Sequence, residues 1–171
     1  MNALVEAKII SAELMKYRYS GISLNGEVAD KKGVLALLST DPNLIMQLNA
    51  NADFTGQDPA VTAELNIDSA DLQALQLSAD ELRIRTLITA DVPKLNADYP
   101  EGVVSISKSV VAAKGERYFI DSLFVSSNPS QDTGQNIWVS ADFLQAHITG
   151  KTPLRQIGNV VTEHINRHYN M

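Results

Sequence analysis

Three groupings in this sequence carry residue types that can do chemistry, and each falls short of a requirement. Gly150-Lys151-Thr152 lies between a strand-like and a helix-like pattern, the setting of a phosphate-binding loop. That loop also needs a glycine where this sequence has Gln145, and Pro153 removes one of the N–H groups that would cradle phosphate. The plainer account is a strand-to-helix turn capped by Thr152. Asp132-Thr133-Gly134 matches the active tripeptide of aspartic proteases. Those enzymes bring two such aspartates together in apolar surroundings, whereas this tripeptide has no second copy and follows Asn128-Pro129-Ser130-Gln131, a polar hairpin loop. His164 and His168 have the spacing by which two imidazoles on one helix can share a metal. Glu163 precedes the first histidine, so the order is not His-Glu-x-x-His, and His147 lies across a break; helix-surface histidines account for the pair. With no Gly-x-Ser-x-Gly elbow and no close pair of carboxylates, the sequence is not expected to be an enzyme and calls for no cofactor or metal.

Composition narrows the field further. The 171 residues suffice for one domain with a real core or for a slice of something longer. Fourteen Lys+Arg against twenty Asp+Glu give a net charge of −6 with the cations scattered, which argues against a nucleic-acid partner. The absence of cysteine removes disulfides, thiolate metal sites and thiol nucleophiles together. No apolar run approaches the ~20 residues of a membrane span.

The elements are read from periodicity. In Leu44–Phe54, Leu44, Met46, Leu48, Ala50, Ala52 and Phe54 share one parity against Gln47, Asn49, Asn51 and Asp53, the alternation of a half-buried strand. Val61, Ala63, Leu65 and Ile67 alternate likewise with Thr62, Glu64, Asn66 and Asp68. Between them Gly56-Gln57-Asp58-Pro59 forces a turn, giving a long hairpin with one apolar and one polar face. Ahead of it, the spacing in residues 3–16 serves a strand or an amphipathic helix about equally, a strand being favoured because the stretch from Tyr17 to Val28 continues a strand-like alternation; Asp30-Lys31-Lys32-Gly33 reads as a turn, Val34–Ser39 as a short strand and Thr40-Asp41-Pro42-Asn43 as another turn.

Behind the hairpin, Ser69 followed by good helix formers predicts a helical corner at 69–77. Strands are then expected over Leu82–Asp91, Val103–Ala112, Arg117–Ser126, Gln135–Ser140 and Leu144–Gly150, with Pro93–Gly102 as a loop. Leu154, Ile157, Val161, Ile165 and His168 at helical spacing predict a C-terminal amphipathic helix over 152–169, and the sequence does not decide whether it covers the apolar face. The expected fold is mainly β: about nine long antiparallel strands, with residues 1–68 and 78–150 as two sets of strands in a single β-rich segment spanning 1–171.

What remains as a functional feature is the apolar parity, whose best members are Leu44, Met46, Leu48, Phe54, Val61, Leu65, Ile67, Leu82, Ile84 and Ile88. It is either ordinary core, with two sheets packed face to face in a closed sandwich, or an uncovered face that binds something apolar.

Tyr17-Arg18-Tyr19-Ser20-Gly21-Ile22-Ser23-Leu24-Asn25-Gly26, then Asp41-Pro42-Asn43 opening a long strand, then Asp68-Ser69-Ala70-Asp71-Leu72-Gln73-Ala74-Leu75-Gln76-Leu77, resembles the repeating segments of large TamB-like proteins of the AsmA superfamily. Leu95–Gly102 and Ser140–Gly150 fit the same segments. The resemblance implies an interior slice of a longer, inner-membrane-anchored protein crossing the periplasm of a Gram-negative envelope. It implies a curved open sheet, a β-taco, whose concave apolar lining carries phospholipid acyl chains toward the outer membrane, with outer-membrane assembly proteins as further partners. On that expectation the ten residues named above line the lipid groove. The alternative expectation is a non-catalytic closed sandwich serving as a structural or protein-interaction module, including outer-membrane protein assembly.

Overall fold

The computed structural model describes residues 2–151 and 153–156. Ten strands follow one another in the chain: β1 (Ala3–Leu14), β2 (Tyr17–Ala29), β3 (Lys32–Asp41), β4 (Leu44–Asp53), β5 (Ala60–Asp71), β6 (Leu82–Lys94), β7 (Glu101–Ala113), β8 (Glu116–Ser127), β9 (Gln135–Ala141) and β10 (Leu144–Gly150). They form one ten-stranded antiparallel meander in which spatial order equals sequence order. The sheet is open: β1 and β10 are its two edges and do not pair with each other. Such an order needs only local connections, and the turn chemistry supplies them. Five hairpins turn on two residues, and in three of them, at Met15-Lys16, Asp30-Lys31 and Lys114-Gly115, both residues hold positive φ, of 52° and 68°, 49° and 62°, and 51° and 79°. Positive φ at both positions is the turn whose twist matches that of paired strands.

The expected hairpin is present, with Leu48 opposite Leu65 and Ala50 opposite Ala63. Other boundaries differ from expectation for identifiable reasons. The strands number ten rather than about nine. β3 runs through Asp41 into the predicted turn, because the Asp41 carboxylate takes over donors where the backbone ladder with β2 stops at Ile22–Ser39. The loop expected over Pro93–Gly102 shrinks, since β6 extends through Pro93 to Lys94 and β7 begins at Glu101. Pro93 is tolerated because the β6–β7 register shifts between Asp91 and Lys94, so no ladder bond is asked of it. Gly102 belongs to the same irregularity: a Cβ there would lie 2.4 Å from the Asp91 carbonyl oxygen.

The helical corner expected at 69–77 is a turn rather than a helix. Ser69 and Ala70 remain in β5, and the cap is Asp71, whose Oδ1 accepts from the Ala74 N–H at 3.0 Å while its carbonyl accepts from the Leu75 N–H at 3.0 Å. Leu154–Gln156 are helical and Pro153 is not, while Thr152 and residues 157–169, His164 and His168 among them, lie outside the described residues.

No second layer covers the sheet among the described residues: the strands in extensive contact are all neighbours in the meander. The closed sandwich is therefore not formed by these strands. Only Ala70, Leu75, Ile137 and Ala141 are buried apolar residues, so there is no enclosed core of ordinary size among the described residues.

Candidate functional site

Cross-strand register assembles the apolar residues into rungs running across the sheet. One rung passes from Ala7 on β1 through Leu24, Leu37, Leu48, Leu65, Ile88, Ile106, Leu123 and Ala141 to Leu144 on β10. A second passes from Val5 through Gly26, Leu35, Ala50, Ala63, Ala90, Val104, Val125 and Val139 to Ala146. Each crosses all ten strands without meeting a polar side chain. With strands spaced ~4.8 Å apart, each rung is on the order of 43 Å long.

The same registers build the opposite face. There Glu6, Asn25, Ala36, Asn49, Glu64, Thr89, Ser105, Phe124, Ser140 and Gln145 form a rung that is mostly polar. Exposure follows the faces. In β3, Gly33, Leu35 and Leu37 are half-buried and Ser39 is buried, whereas Lys32, Val34, Ala36 and Leu38 are exposed. In β4, Leu44, Met46, Leu48 and Ala50 are half-buried, and Ile45, Gln47 and Asn49 are exposed. Because alternate side chains leave a strand on opposite sides, this pattern is one face against the other rather than one strand end against the other.

All ten sequence-predicted lining residues lie on the apolar face. Leu48, Leu65 and Ile88 sit side by side on the first rung, and Met46 faces Ile67. Leu44 is opposite Ala70, which is opposite Ile84. Val61 faces Ala52 and Val92, and Leu82 faces Ala113. Phe54 follows β4 and folds over Gly33, its Cε2 3.6 Å from where a Cβ of that glycine would sit. A shallow apolar depression of about 360 Å³ opens beside it, lined by Val5, Leu24, Val28, Leu35, Phe54 and Val61 among others. The sequence reading missed the contribution of β1–β3 and β7–β10. Leu35 and Leu37, or Val104 and Ile106, carry the same parity, but only the register shows that they join these rungs.

Toward the middle of this face, polar side chains find partners within the protein. Ser39 donates to the Leu44 carbonyl at 2.7 Å, and the buried hydroxyls of Thr86 and Ser109 bond to each other at 2.7 Å. Neither group needs water, so the face keeps its apolar character where the register shifts between Arg85 and Leu87.

The rims of the sheet carry two further buried polar groups, Asp41 and Gln135. Asp41 is 0 % exposed and accepts from the Tyr17 hydroxyl at 2.5 Å, the Ser20 N–H at 2.8 Å, the Ser20 hydroxyl at 3.1 Å and the Asn43 N–H at 2.9 Å. Burial pushes its carboxyl up, but these donors outweigh burial and hold it below the ordinary aspartate value. The bond to Asp41 in turn raises the Tyr17 phenol above its ordinary value. Gly21 makes room for this corner: its φ is +62°, and a Cβ there would lie 2.5 Å from Thr40 Oγ1. At another rim, Gln135 is buried and its Nε2 donates to the Asp98 carbonyl at 2.6 Å. Leu75, 1 % exposed, is the corresponding apolar plug beyond β5.

Of the groupings considered for chemistry, those that include Thr152, His164 and His168 reach outside the described residues. Asp132-Thr133-Gly134 belongs to a turn in which Thr133 Oγ1 lies 2.8 Å from Ser130 Oγ. His147 stacks on Trp138 with ring centroids 3.7 Å apart and bonds to Asn136 Oδ1 at 2.5 Å, on the polar face. Among the described residues, no three His, Asp or Glu side chains cluster in a way that could hold a metal, and no helix is long and apolar enough to cross a membrane. Searches against family models, curated proteins and solved structures find nothing similar to this chain.

Proposed function

We propose that the apolar face binds the acyl chains of phospholipid and conducts them along its rungs, as one segment of a longer TamB- or AsmA-like protein of the periplasm. The observation that carries this reading is the pair of unbroken apolar rungs on a sheet that no other described element covers. Each lipid methylene withdrawn from water contributes ~0.8 kcal/mol, whatever its position along a rung. A surface that is apolar throughout and lacks a polar anchor holds a chain without fixing it, which is what sliding requires. The half-burial of the apolar parity against the exposed polar parity supports a sheet curled toward its apolar side, making the U-shaped lining of a groove. The open β10 edge suits addition of further strands from a neighbouring segment of an envelope-spanning chain. Lipid is the partner that fits this surface best, and outer-membrane assembly proteins are secondary partners on the same reading.

The direct test places a photo-reactive side chain at position 48 or at position 49 and irradiates the protein with phospholipid vesicles. The two positions are adjacent in the chain and lie on opposite faces. Lipid adducts at 48 and none at 49 are expected; equal labelling at both, or labelling at neither, removes the lipid reading.

A further inference from the structure

The β1 edge of the sheet is unlike the β10 edge. β1 has twelve residues, against seven for β10, and among the described residues it pairs only with β2. Leu4 is 70 % exposed and Ile10 82 %, so this is a long strand with large apolar side chains and an unsatisfied backbone. Such an edge recruits another strand unless something opposes it.

The hydrogen-bonding pattern of that edge follows from the hairpin beside it. The two-residue turn at Met15-Lys16 closes on Leu14 and Tyr17 as a directly bonded pair. The even-numbered residues of β1 therefore direct their N–H and C=O groups to β2, and Ala3, Val5, Ala7, Ile9 and Ser11 direct theirs outward. Two copies of β1 running antiparallel can pair only odd against odd.

Charge then selects the register. With Ala7 opposite Ala7 of the second copy, Glu6 lies opposite Lys8 and Lys8 opposite Glu6, in the non-hydrogen-bonded pairs where Cα atoms approach to about 4.5 Å. Sliding by one allowed step puts Lys8 against Lys8 or Glu6 against Glu6, which is unfavourable. The same register sets Val5 against Ile9 on the apolar face and Leu4 against Ile10 on the polar one, and allows about ten backbone hydrogen bonds. We infer that the chain forms a symmetric dimer through β1, centred on Ala7, with a second copy as the occupant of this edge. The two-fold axis stands perpendicular to the sheet, so the apolar faces of both copies lie on the same side and the Leu24–Ala7 rung continues into its partner.

Sedimentation velocity of the 171-residue chain tests this. The native chain is expected to be a dimer; Glu6→Lys alone and Lys8→Glu alone should each weaken it by about tenfold or more. An equimolar mixture of those two variants should dimerise again, since two positive charges on one copy then face two negative charges on the other. The double variant E6K/K8E should dimerise by itself, because exchanging the two charges within each copy preserves both cross-strand pairs. Ala7→Cys, in a chain with no other cysteine, should cross-link to itself on oxidation. A native chain monomeric at about 100 μM, including one whose β1 is occupied by a preceding strand of a longer protein, overturns the inference, as does a dimer indifferent to the charge variants.

Discussion

Asn49 and Glu64 face each other across β4 and β5 on one side of the sheet; one residue away on each strand, Leu48 and Leu65 do the same on the other. The two faces share every backbone hydrogen bond, every turn and every strand length, and differ only in which parity of side chain they present. In a layered domain the apolar parity would be the core, and its burial would be the main source of stability. Here it is half-exposed, and three of the four largest fully buried side chains lie at the rims, Asp41 at the end of β3, Leu75 beyond β5 and Gln135 at the start of β9, the fourth being Ser39, two residues before Asp41. The comparison separates two duties that a globular core combines. Ladder and rims hold the sheet, and on the proposed reading the apolar face remains for a ligand.

That separation can be broken most visibly by charge. Met46→Asp with Leu65→Arg should abolish phospholipid binding in a vesicle or fluorescent-lipid assay, because a charge stripped of water under an acyl chain costs several kcal/mol, about a tenfold loss for each 1.4 kcal/mol. Since both sites are half-exposed, the variant should stay folded by circular dichroism. The matched changes Asn49→Asp and Glu64→Arg on the polar face should leave binding unaltered. Unfolding of the first pair would instead mark the apolar face as ordinary core.

The reverse experiment attacks a rim. Asp41→Ala removes the acceptor of the Ser20 N–H and of the Tyr17 hydroxyl, leaving these donors unpaired, and should cost about 2–4 kcal/mol in urea denaturation. At temperatures where the variant remains folded, lipid binding should persist. If Asp41→Ala costs no more than a surface change, the rim does not hold the sheet.

Acid should act on the rims before it acts on the face. The folded Asp41 and Asp71 carboxyls lie below the ordinary aspartate value, Asp71 chiefly through the Ala74 N–H, so the unfolded chain binds more protons as pH falls. Their contribution is complete above the unfolded value, near pH 4, and is lost as pH drops through the folded values. The urea midpoint should therefore fall between about pH 5 and about pH 2.5, with a shallower slope in Asp41→Asn. The smallest effect belongs to the backbone both faces share. Lys31 holds φ of 62° without being glycine, so Lys31→Gly should raise stability by about 0.5–1 kcal/mol and leave lipid binding untouched.

Much of this architecture was legible in the sequence. The parity of Leu44–Phe54 and Val61–Ile67 specifies two strands and their faces, and Gly56 to Pro59 specifies the reversal between them. What was hidden depends on partners distant in the chain. Asp41 beside Pro42 and Asn43 reads as an exposed turn residue, and nothing local announces that Tyr17 and Ser20 bury it. Pro93 reads as a strand breaker, and only the register shift against β7 lets β6 pass through it. Ser69 reads as a helix cap until Ala70 is seen paired with Leu44 and Ile84. For the same reason the lining was read mainly from β4–β6: alternation assigns a residue to a face within its strand, and register is what joins faces across strands.

The central claim is that the apolar face holds acyl chains, and the most direct measurement is native mass spectrometry, with lipid analysis, of the chain purified from bacterial membranes and lysate without detergent. Phospholipid bound at near-stoichiometric amounts, and absent from the folded Met46→Asp/Leu65→Arg variant, is the predicted result. A cooperatively folded, lipid-free protein that takes up no added phospholipid would contradict the claim.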